Sequence, residues 1–160
     1  MNKLGTFQNI LLLWLSAGLV GCISSKDVTR QATERTDYVI GGTYALEKPV
    51  FLHKYDKADL RETPTLQKLG FSGTSTNLAD FQQRDRNRIQ VAGLMMPGDR
   101  VKIERLVEER SPTVGKILHV YAIVVAGESK DSIVDVTFVS KQDFHKSHIF
   151  RDSAYLAPAK

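Results

Sequence analysis

Two segments late in the chain constrain the fold more than any other part of the sequence. Residues Lys116–Ala126 are apolar on both faces, which is typical of a strand buried in the middle of a sheet. Residues Ser132–Ser140 alternate between apolar and polar side chains, and Asp135 and Thr137 fall on the polar side. The polar, glycine-containing segment Gly127–Asp131 connects them. The pattern predicts a hairpin and a mainly β protein.

Earlier segments also have the patterns of strands. Residues Thr43–Lys54 predict two short strands separated by a bend at Pro49, because proline cannot donate a hydrogen bond to a sheet. Residues 88–96 begin with alternation and predict another strand. Residues Val101–Glu104 alternate apolar and charged side chains, and Arg105 continues the strand out of phase, which indicates a bulge.

Helix is expected only in the long link between the early and late strands, residues 55–87. Thr63–Gly70 has the N-cap, first-turn proline and C-terminal glycine of one short helix, and Asn77 is suited to open a second. About five strands with a long early connection and a tight late hairpin predict a small antiparallel barrel. An SH3-like barrel fits this order best, and an OB-like barrel is the alternative.

The start of the sequence has the pattern of an export signal. Met1–Lys3 is positively charged, Ile10–Leu15 is apolar, and Ser16–Gly18 consists of small residues. The apolar core is shorter than the roughly 20 residues that a membrane-spanning helix needs. These features predict a cleaved signal peptide.

The end of this signal resembles the lipobox of bacterial lipoprotein precursors, in the residues Leu19-Val20-Gly21-Cys22. The resemblance implies cleavage after Gly21 and attachment of a diacylglyceryl group to the thiol of Cys22, so that lipid holds the protein on a membrane. Because Ile23 rather than aspartate follows the cysteine, the resemblance implies the periplasmic side of the outer membrane, if the envelope is Gram-negative. The alternative is an ordinary secretory signal or N-terminal anchor with an incidental cysteine.

These patterns divide the chain into four parts. Residues 1–21 are the signal peptide, residues 22–37 the lipidated cysteine and a flexible tether, residues 38–143 the β-barrel domain, and residues 144–160 a C-terminal tail. A tether is expected because residues 23–37 are polar and lack a sustained hydrophobic period. Fully extended, it would reach about 50 Å from the membrane. A short helix at Lys26–Arg35 is the alternative.

Charge and cysteine content exclude several classes of protein. The formal net charge is +4, and it falls to +3 without residues 1–21, which contain one lysine and no acid. So small an excess argues against a nucleic-acid-binding protein. Cys22 is the only cysteine, so no disulfide within the chain is expected.

The sequence contains none of the common catalytic or phosphate-binding motifs, and we expect neither an enzyme nor a bound cofactor. His145 and His148 have the spacing of two metal ligands but no third, so two surface histidines in a solvated tail are favoured over a metal site. His119 is expected to be a hydrogen-bonded packing residue. Glu104, Glu108 and Glu109 lie close in sequence, but basic residues intersperse them, so a solvated strand end is favoured over a general acid and base pair.

One basic cluster is a candidate binding site. Arg84, Arg86 and Arg88 alternate and precede Arg100, which follows a predicted turn. Guanidinium groups on one side of an extended segment suit bidentate contacts with carboxylate or phosphate groups. The cluster predicts an anionic partner, and a charged loop that faces water is the alternative.

Three classes of function follow from these observations. The leading hypothesis is a membrane-anchored, non-enzymatic envelope lipoprotein that binds another protein or takes part in an assembly. The second is an SH3-like module that binds cell-wall glycan. The third is a small envelope hydrolase or inhibitor, which would need a pocket of converging polar groups.

Overall fold

The computed structural model describes residues 24–55, 63–68, 89–111 and 115–159. Its fold is mainly β, as predicted from the sequence. One large mixed sheet and a separate two-stranded hairpin contain the strands of these residues. Helix in the same residues is limited to one α-helical turn and two 3₁₀ turns.

The described residues form eleven strands. Nine are short, with three to seven residues, and two are long, with twelve residues each. In chain order the elements are β1 (Ser24–Asp27), a 3₁₀ turn (Thr29–Gln31), α1 (Ala32–Arg35), β2 (Thr43–Leu46), β3 (Val50–Tyr55), β4 (Thr65–Lys68), β5 (Ile89–Met95), β6 (Arg100–Ser111), β7 (Gly115–Ala126), β8 (Ile133–Asp135), a 3₁₀ turn (Thr137–Val139), β9 (Ser140–Asp143), β10 (His148–Arg151) and β11 (Leu156–Pro158). The predicted break between β2 and β3 at Pro49 is confirmed.

The long antiparallel pair β6–β7 forms the centre of the sheet. Its register shifts between Ile103 and Arg105, where one extra residue interrupts the pairing. Val101 and Ile103 are buried before this bulge, and Leu106 is buried after it. The bulge therefore keeps the apolar residues of both halves on the buried face, and the predicted change of phase at Arg105 is confirmed.

Strand β7 supplies much of the core. Leu118, Val120, Ala122 and Val124 are completely buried and share one face, as their alternation predicts. Burial of a leucine or valine side chain stabilises a fold by about 1.5–3 kcal/mol. These four residues pack in one core with side chains from most of the other strands.

The sheet is open rather than closed. Its order is β11-β2-β6-β7-β8-β4-β3-β5, and β1 pairs with β6 beside this path. Thr65 and Asp135 pair in parallel, so β4 and β8 make the sheet mixed. A closed barrel requires the two outermost strands of the sheet to pair with each other. In the part of the chain described, the sheet ends at β11, which pairs with β2, and at β5, which pairs with β3. The predicted closed antiparallel barrel is not observed there.

The helix predicted at residues 63–70 is wrong for its central part, which forms strand β4. Leu66 lies opposite Leu52 of β3 and is completely buried. The local capping signals at Pro64 and beyond are overridden because pairing with β3 buries Leu66 in the common core. The second predicted helix, near Asn77, lies outside the described residues.

The second strand of the late hairpin is shorter than predicted. The connection at 127–131 is confirmed, but β8 ends at Asp135. The Asp135 carboxylate accepts a hydrogen bond from the backbone N–H of Thr137 at 2.9 Å. Such an aspartate turn competes with strand pairing, and the chain enters a 3₁₀ turn instead.

The predicted flexible tether is also wrong for the residues described, because the chain from Ser24 onward packs on the sheet. Strand β1 pairs with β6 over four residues. Val28 donates its backbone N–H to the carbonyl of Leu106 at 2.9 Å, and the side chains of Val28 and Ala32 are buried in the core. The alternative, a helix over Lys26–Arg35, holds only for its second half.

Residues 144–159 of the predicted tail are part of the folded domain. Ile149 of β10 and Leu156 of β11 are completely buried. Strand β11 pairs with β2, and Leu156 lies opposite Leu46. The sequence pattern favours a tail there because the strands are short and show little alternation, and because their pairing partners include the distant strand β2.

Candidate functional site

A histidine and an aspartate form a hydrogen-bonded pair in the interior of the sheet. His119 lies on β7 and Asp135 ends β8, and their side chains are 1% and 2% exposed. The Nδ1 atom of His119 is 2.8 Å from Oδ2 of Asp135. Because a carboxylate only accepts hydrogen bonds, Nδ1 carries the proton. The prediction that His119 is a hydrogen-bonded packing residue is confirmed.

Thr137 completes the surroundings of the Asp135 carboxylate. Its hydroxyl donates to Oδ1 of Asp135, and the backbone N–H of Val120 donates to the same hydroxyl at 3.1 Å. Both aspartate oxygens therefore accept hydrogen bonds from residues on neighbouring elements. Alternation placed Asp135 and Thr137 on a common polar side, and the structure shows that this side is buried as well.

The opposite ring nitrogen of His119 faces a second carboxylate. Nε2 of His119 lies 3.7 Å from Oε2 of Glu109 on β6, and Nε2 has no hydrogen-bond partner within the described residues. The ring of Tyr121 lies beside the imidazole, with centroids 6.2 Å apart. The guanidinium of Arg105 lies 4.8 Å from the centroid of the Tyr121 ring. The Tyr121 ring therefore lies beside the histidine, and the Arg105 cation lies against that ring.

Thr65 joins this cluster to the other half of the sheet. It pairs with Asp135 across the parallel junction, and the backbone N–H of Asp135 donates to the carbonyl of Pro64 at 2.8 Å. The Thr65 hydroxyl is buried and makes no hydrogen bond to the residues described. We call the four buried residues Thr65, His119, Asp135 and Thr137 the buried polar cluster. It lies where β4, β7 and β8 meet.

The chemistry open to the buried polar cluster is limited by its burial. A histidine whose Nδ1–H is held by a carboxylate can accept a proton at Nε2, as a general base does. In this protein, however, His119 is 1% exposed, so a substrate reaches Nε2 only if the strands separate. Buried, hydrogen-bonded polar groups also fix which strands pair, because unpaired partners are costly in the interior. The arrangement fits that structural role better.

A second charged group joins the N-terminal segment to β6. Arg35 of α1 donates from Nη2 to Oε2 of Glu108 at 2.6 Å, and Arg110 donates from Nε to Oε1 at 3.1 Å. Hydrogen bonding by Arg35 is the main reason that the pKa of Glu108 is lowered. Glu108 is buried, so the expected solvated strand end is wrong at this position, because the sequence pattern could not show the distant partner Arg35.

The residues of the predicted binding and lipidation sites lie mostly beyond the described structure. Gly21 and Cys22 precede its first residue, and Arg84, Arg86 and Arg88 fall between its segments. Arg100 is exposed at the start of β6, where it lies opposite Ala45 of β2 and Ala126 of β7. The proposed convergence of the four arginines therefore stays a prediction.

The other candidate ligands belong to the β9–β10 hairpin. Nδ1 of His148 donates to the carbonyl oxygen of Lys146 at 2.7 Å, because a carbonyl only accepts hydrogen bonds. Its ring stacks on Phe150, with centroids 6.1 Å apart. His145 lies in the turn between the two strands. The described ranges contain no group of three or more histidine, cysteine, aspartate or glutamate side chains placed to hold a metal ion.

Exposed apolar side chains mark a surface that the sequence did not suggest. Phe144 is 58% exposed and Phe150 is 42% exposed, both on the β9–β10 hairpin, and Val39 is 65% exposed in the loop before β2. The two segments are neighbours, because Thr36 pairs with Ile149. We call Phe144, His148 and Phe150, which lie on this hairpin, the hairpin surface. The sequence does not suggest this surface, because residues 144–160 have the pattern of a tail.

Comparison of the chain with models of protein families, with curated proteins and with solved structures found no match. In the ranges that the structure describes, no helix has both the length and the apolar character needed to cross a bilayer.

Proposed function

We propose that this protein is a lipid-anchored, non-enzymatic envelope protein that binds another protein through the hairpin surface. The observation that carries the proposal is the exposure of Phe144 and Phe150 on a hairpin that is fixed to the sheet. Aromatic side chains dominate the energy of many protein interfaces, and their exposure to water is unfavourable unless a partner covers them. Anchoring by lipid follows from the lipobox at Leu19–Cys22, and the lipoprotein resemblance favours the periplasmic side of an outer membrane.

The hairpin itself is held in place by the rest of the fold. The backbone N–H of Arg151 donates to Asp37 at 2.6 Å, and Arg35 donates to the carbonyl of Ser147 at 3.3 Å. Ile149 is buried in the core between the half-buried His148 and the exposed Phe150 of β10. A rigid hairpin presents its aromatic residues without a large loss of conformational entropy on binding.

Charge indicates the kind of protein that would bind there. Lys141, which lies opposite Phe150, has a side chain that is 65% exposed, and Lys146 is exposed in the hairpin turn. Asp143, the last residue of β9, accepts hydrogen bonds from the backbone N–H groups of His145 and Lys146, and Lys141 lies 3.7 Å from Oδ1 of Asp152. Lys146 is the exposed basic side chain of the turn beside Phe144, so the expected partner presents an apolar patch with a carboxylate at its border.

The finer architecture remains part of this proposal. The long, bulged β6–β7 pair supports an SH3-like arrangement, with an OB-like arrangement as the alternative, although the sheet described is open. The alternative hypothesis, binding of cell-wall glycan, depends on the SH3-like prediction and on the predicted arginine cluster. The hairpin surface favours a protein partner instead, because its side chains are mainly apolar.

Photo-crosslinking in intact cells tests the hairpin surface. A photoreactive residue at Phe150 should give a discrete protein adduct, whereas the same residue at Glu128, exposed in the distant β7–β8 loop, should not. Phe144→Asp should abolish the adduct from position 150 without lowering the Tm, because Phe144 is 58% exposed. Equal adducts from positions 150 and 128, or recovery of wall fragments alone, would overturn the proposal.

Anchoring is tested separately with Cys22→Ser. This substitution should abolish incorporation of labelled fatty acid and leave an uncleaved or mislocalised precursor. Unchanged incorporation would show that the lipid is not attached to Cys22.

A further inference from the structure

The chain enters the sheet at one particular end of the long β6–β7 pair. Ser24, the first residue described, lies opposite Arg110, and Ser111 lies opposite Gly115 where β6 passes to β7. The N-terminal segment is therefore fixed beside this end of the pair. Arg100 and Ala126 mark the other end, eleven residue steps away along β6, or about 35 Å at the usual rise of a strand.

The end at which the chain enters carries exposed basic side chains from three strands. Lys26 of β1 and Lys116 of β7 are exposed, and the Arg110 side chain of β6 is 62% exposed. We call Lys26, Arg110 and Lys116 the basic end. Lys26 and Lys116 present their charges to water, and the largely exposed Arg110 does so beside its ion pair with Glu108.

The acidic groups nearby do not cancel this charge. Glu108 is shared between Arg35 and Arg110, so the three side chains together carry one net positive charge. Asp27 is the exposed acid on β1, and its carboxylate accepts the backbone N–H of Thr29 at 2.8 Å. Glu109, whose carboxylate faces His119, adds one further negative charge at this end of β6. Counting Lys26 and Lys116 with all of these groups leaves one net positive charge at the basic end.

We propose that the basic end rests on the anionic headgroups of the membrane that carries the lipid anchor, so that the β6–β7 pair points away from the bilayer. The inference rests on the proposed attachment of lipid to Cys22. That residue precedes Ser24 by two positions, and two residues span at most about 7 Å. Attachment so close to the sheet brings Lys26, Arg110 and Lys116 into the layer where phospholipid phosphates lie, and each basic residue there strengthens membrane binding about fivefold.

Orientation is tested with the lipidated protein reconstituted into vesicles. Cys22 is the only cysteine, so a cysteine introduced at Glu128 can be labelled selectively once the Cys22 thiol carries lipid. Energy transfer from that label to a headgroup-labelled lipid should be low in phosphatidylglycerol-containing vesicles and should rise in pure phosphatidylcholine. It should also rise when Lys26, Arg110 and Lys116 are all changed to glutamine. Transfer that depends on neither lipid charge nor these residues would overturn the proposal.

A matched variant controls for net charge. Lys48, Lys102 and Lys130 lie away from the basic end and are exposed or half-exposed, so changing all three to glutamine removes the same charge. This variant should keep the low energy transfer of the original protein. A rise equal to that of the first variant would show a general charge effect and would count against the basic end.

A second experiment distinguishes an absence of lipid on Cys22 from an absence of contact between the basic end and the membrane. If mass spectrometry shows no lipid on Cys22, the full chain can be sedimented directly with vesicles that contain phosphatidylglycerol. The basic end then predicts binding that falls about a hundredfold when its three charges are removed, at about fivefold for each. Binding that is unchanged by the three substitutions would overturn the proposal in this case as well.

Discussion

Nδ1 of His119 lies 2.8 Å from Oδ2 of Asp135, and this pair connects β7 to β8 beside the parallel junction with β4. Both side chains are almost fully buried. The hydrogen bond therefore fixes the second strand of the β7–β8 hairpin, and Asp135 of that strand also pairs with Thr65 from a distant part of the chain. Removing one partner leaves the other buried without its hydrogen bond, which is more costly than the net value of the bond itself.

We expect Asp135→Ala to lower the free energy of unfolding by about 1–3 kcal/mol, because His119 loses its acceptor. In a double-mutant cycle with His119→Ala, the two substitutions should show a coupling energy of about 0.5–3 kcal/mol in urea denaturation. Asp131→Asn is the control, since Asp131 is exposed and asparagine also tolerates its φ of +69°. A coupling energy close to zero would contradict a stabilising role for the pair.

Glu108 should make stability depend on pH. Its pKa is lowered because Arg35 and Arg110 donate to it, so its contribution is fully present above the ordinary glutamate pKa, about 4.3, and is lost as the pH falls through the folded-state pKa. Glu108→Gln should cost about 1–3 kcal/mol at neutral pH, and the difference should shrink in acid.

Urea denaturation at a series of pH values measures this effect. Glu104→Gln is the control, because the Glu104 side chain is 39% exposed and its ion pair with Lys102 is worth less than about 1 kcal/mol. The prediction fails if the two variants differ from the original protein by the same amount at every pH.

Leu156→Ala should destabilise the protein by about 2–5 kcal/mol, because the side chain is completely buried against β2. Ser153→Ala changes an exposed residue nearby and should alter stability by less than about 0.5 kcal/mol. Thermal denaturation of the two variants distinguishes a folded C-terminal segment from a tail. If Leu156→Ala is as stable as Ser153→Ala, the segment is a tail.

Gly127→Ala should be more destabilising than Gly98→Ala. Both glycines have positive φ angles, of +115° and +95°. A Cβ atom at Gly127 would lie 2.5 Å from the carboxylate of Asp99, whereas a Cβ at Gly98 would meet nothing within 4 Å. Backbone strain costs about 1–3 kcal/mol at either position, and the contact adds to it only at Gly127. Equal losses of Tm would show that Asp99 moves aside at no cost.

Local sequence patterns were sufficient for the elements that stand at the centre of the sheet. Alternation along Leu118–Val124 predicted the buried face of β7, and Pro49 predicted the break between β2 and β3. The change of phase at Arg105 predicted the bulge in β6. Each of these signals acts within a few residues, because side chains of a strand alternate between two faces whatever strand lies beside it.

The rest depends on contacts between residues that are distant in sequence. The capping signals of Thr63–Gly70 favour a helix, and only the pairing of Leu66 with Leu52 makes a strand more stable there. The buried polar cluster was not predicted as a unit, because Thr65 reaches Asp135 only through the parallel junction. A polar residue in an alternating strand gives no sign of whether its side faces water or a second layer.

Strand β11 has a consequence for the order in which the protein folds. It pairs with β2, so that Leu156 lies opposite Leu46, while β1 pairs with the far end of β6. Neither of these pairings can form during synthesis before the later partner has been made, and pairings so distant in sequence make folding slow. A chain that is still emerging therefore lacks the strand that covers the edge of β2. If the protein is exported, β2 therefore keeps an uncovered edge until residues 156–158 have been made.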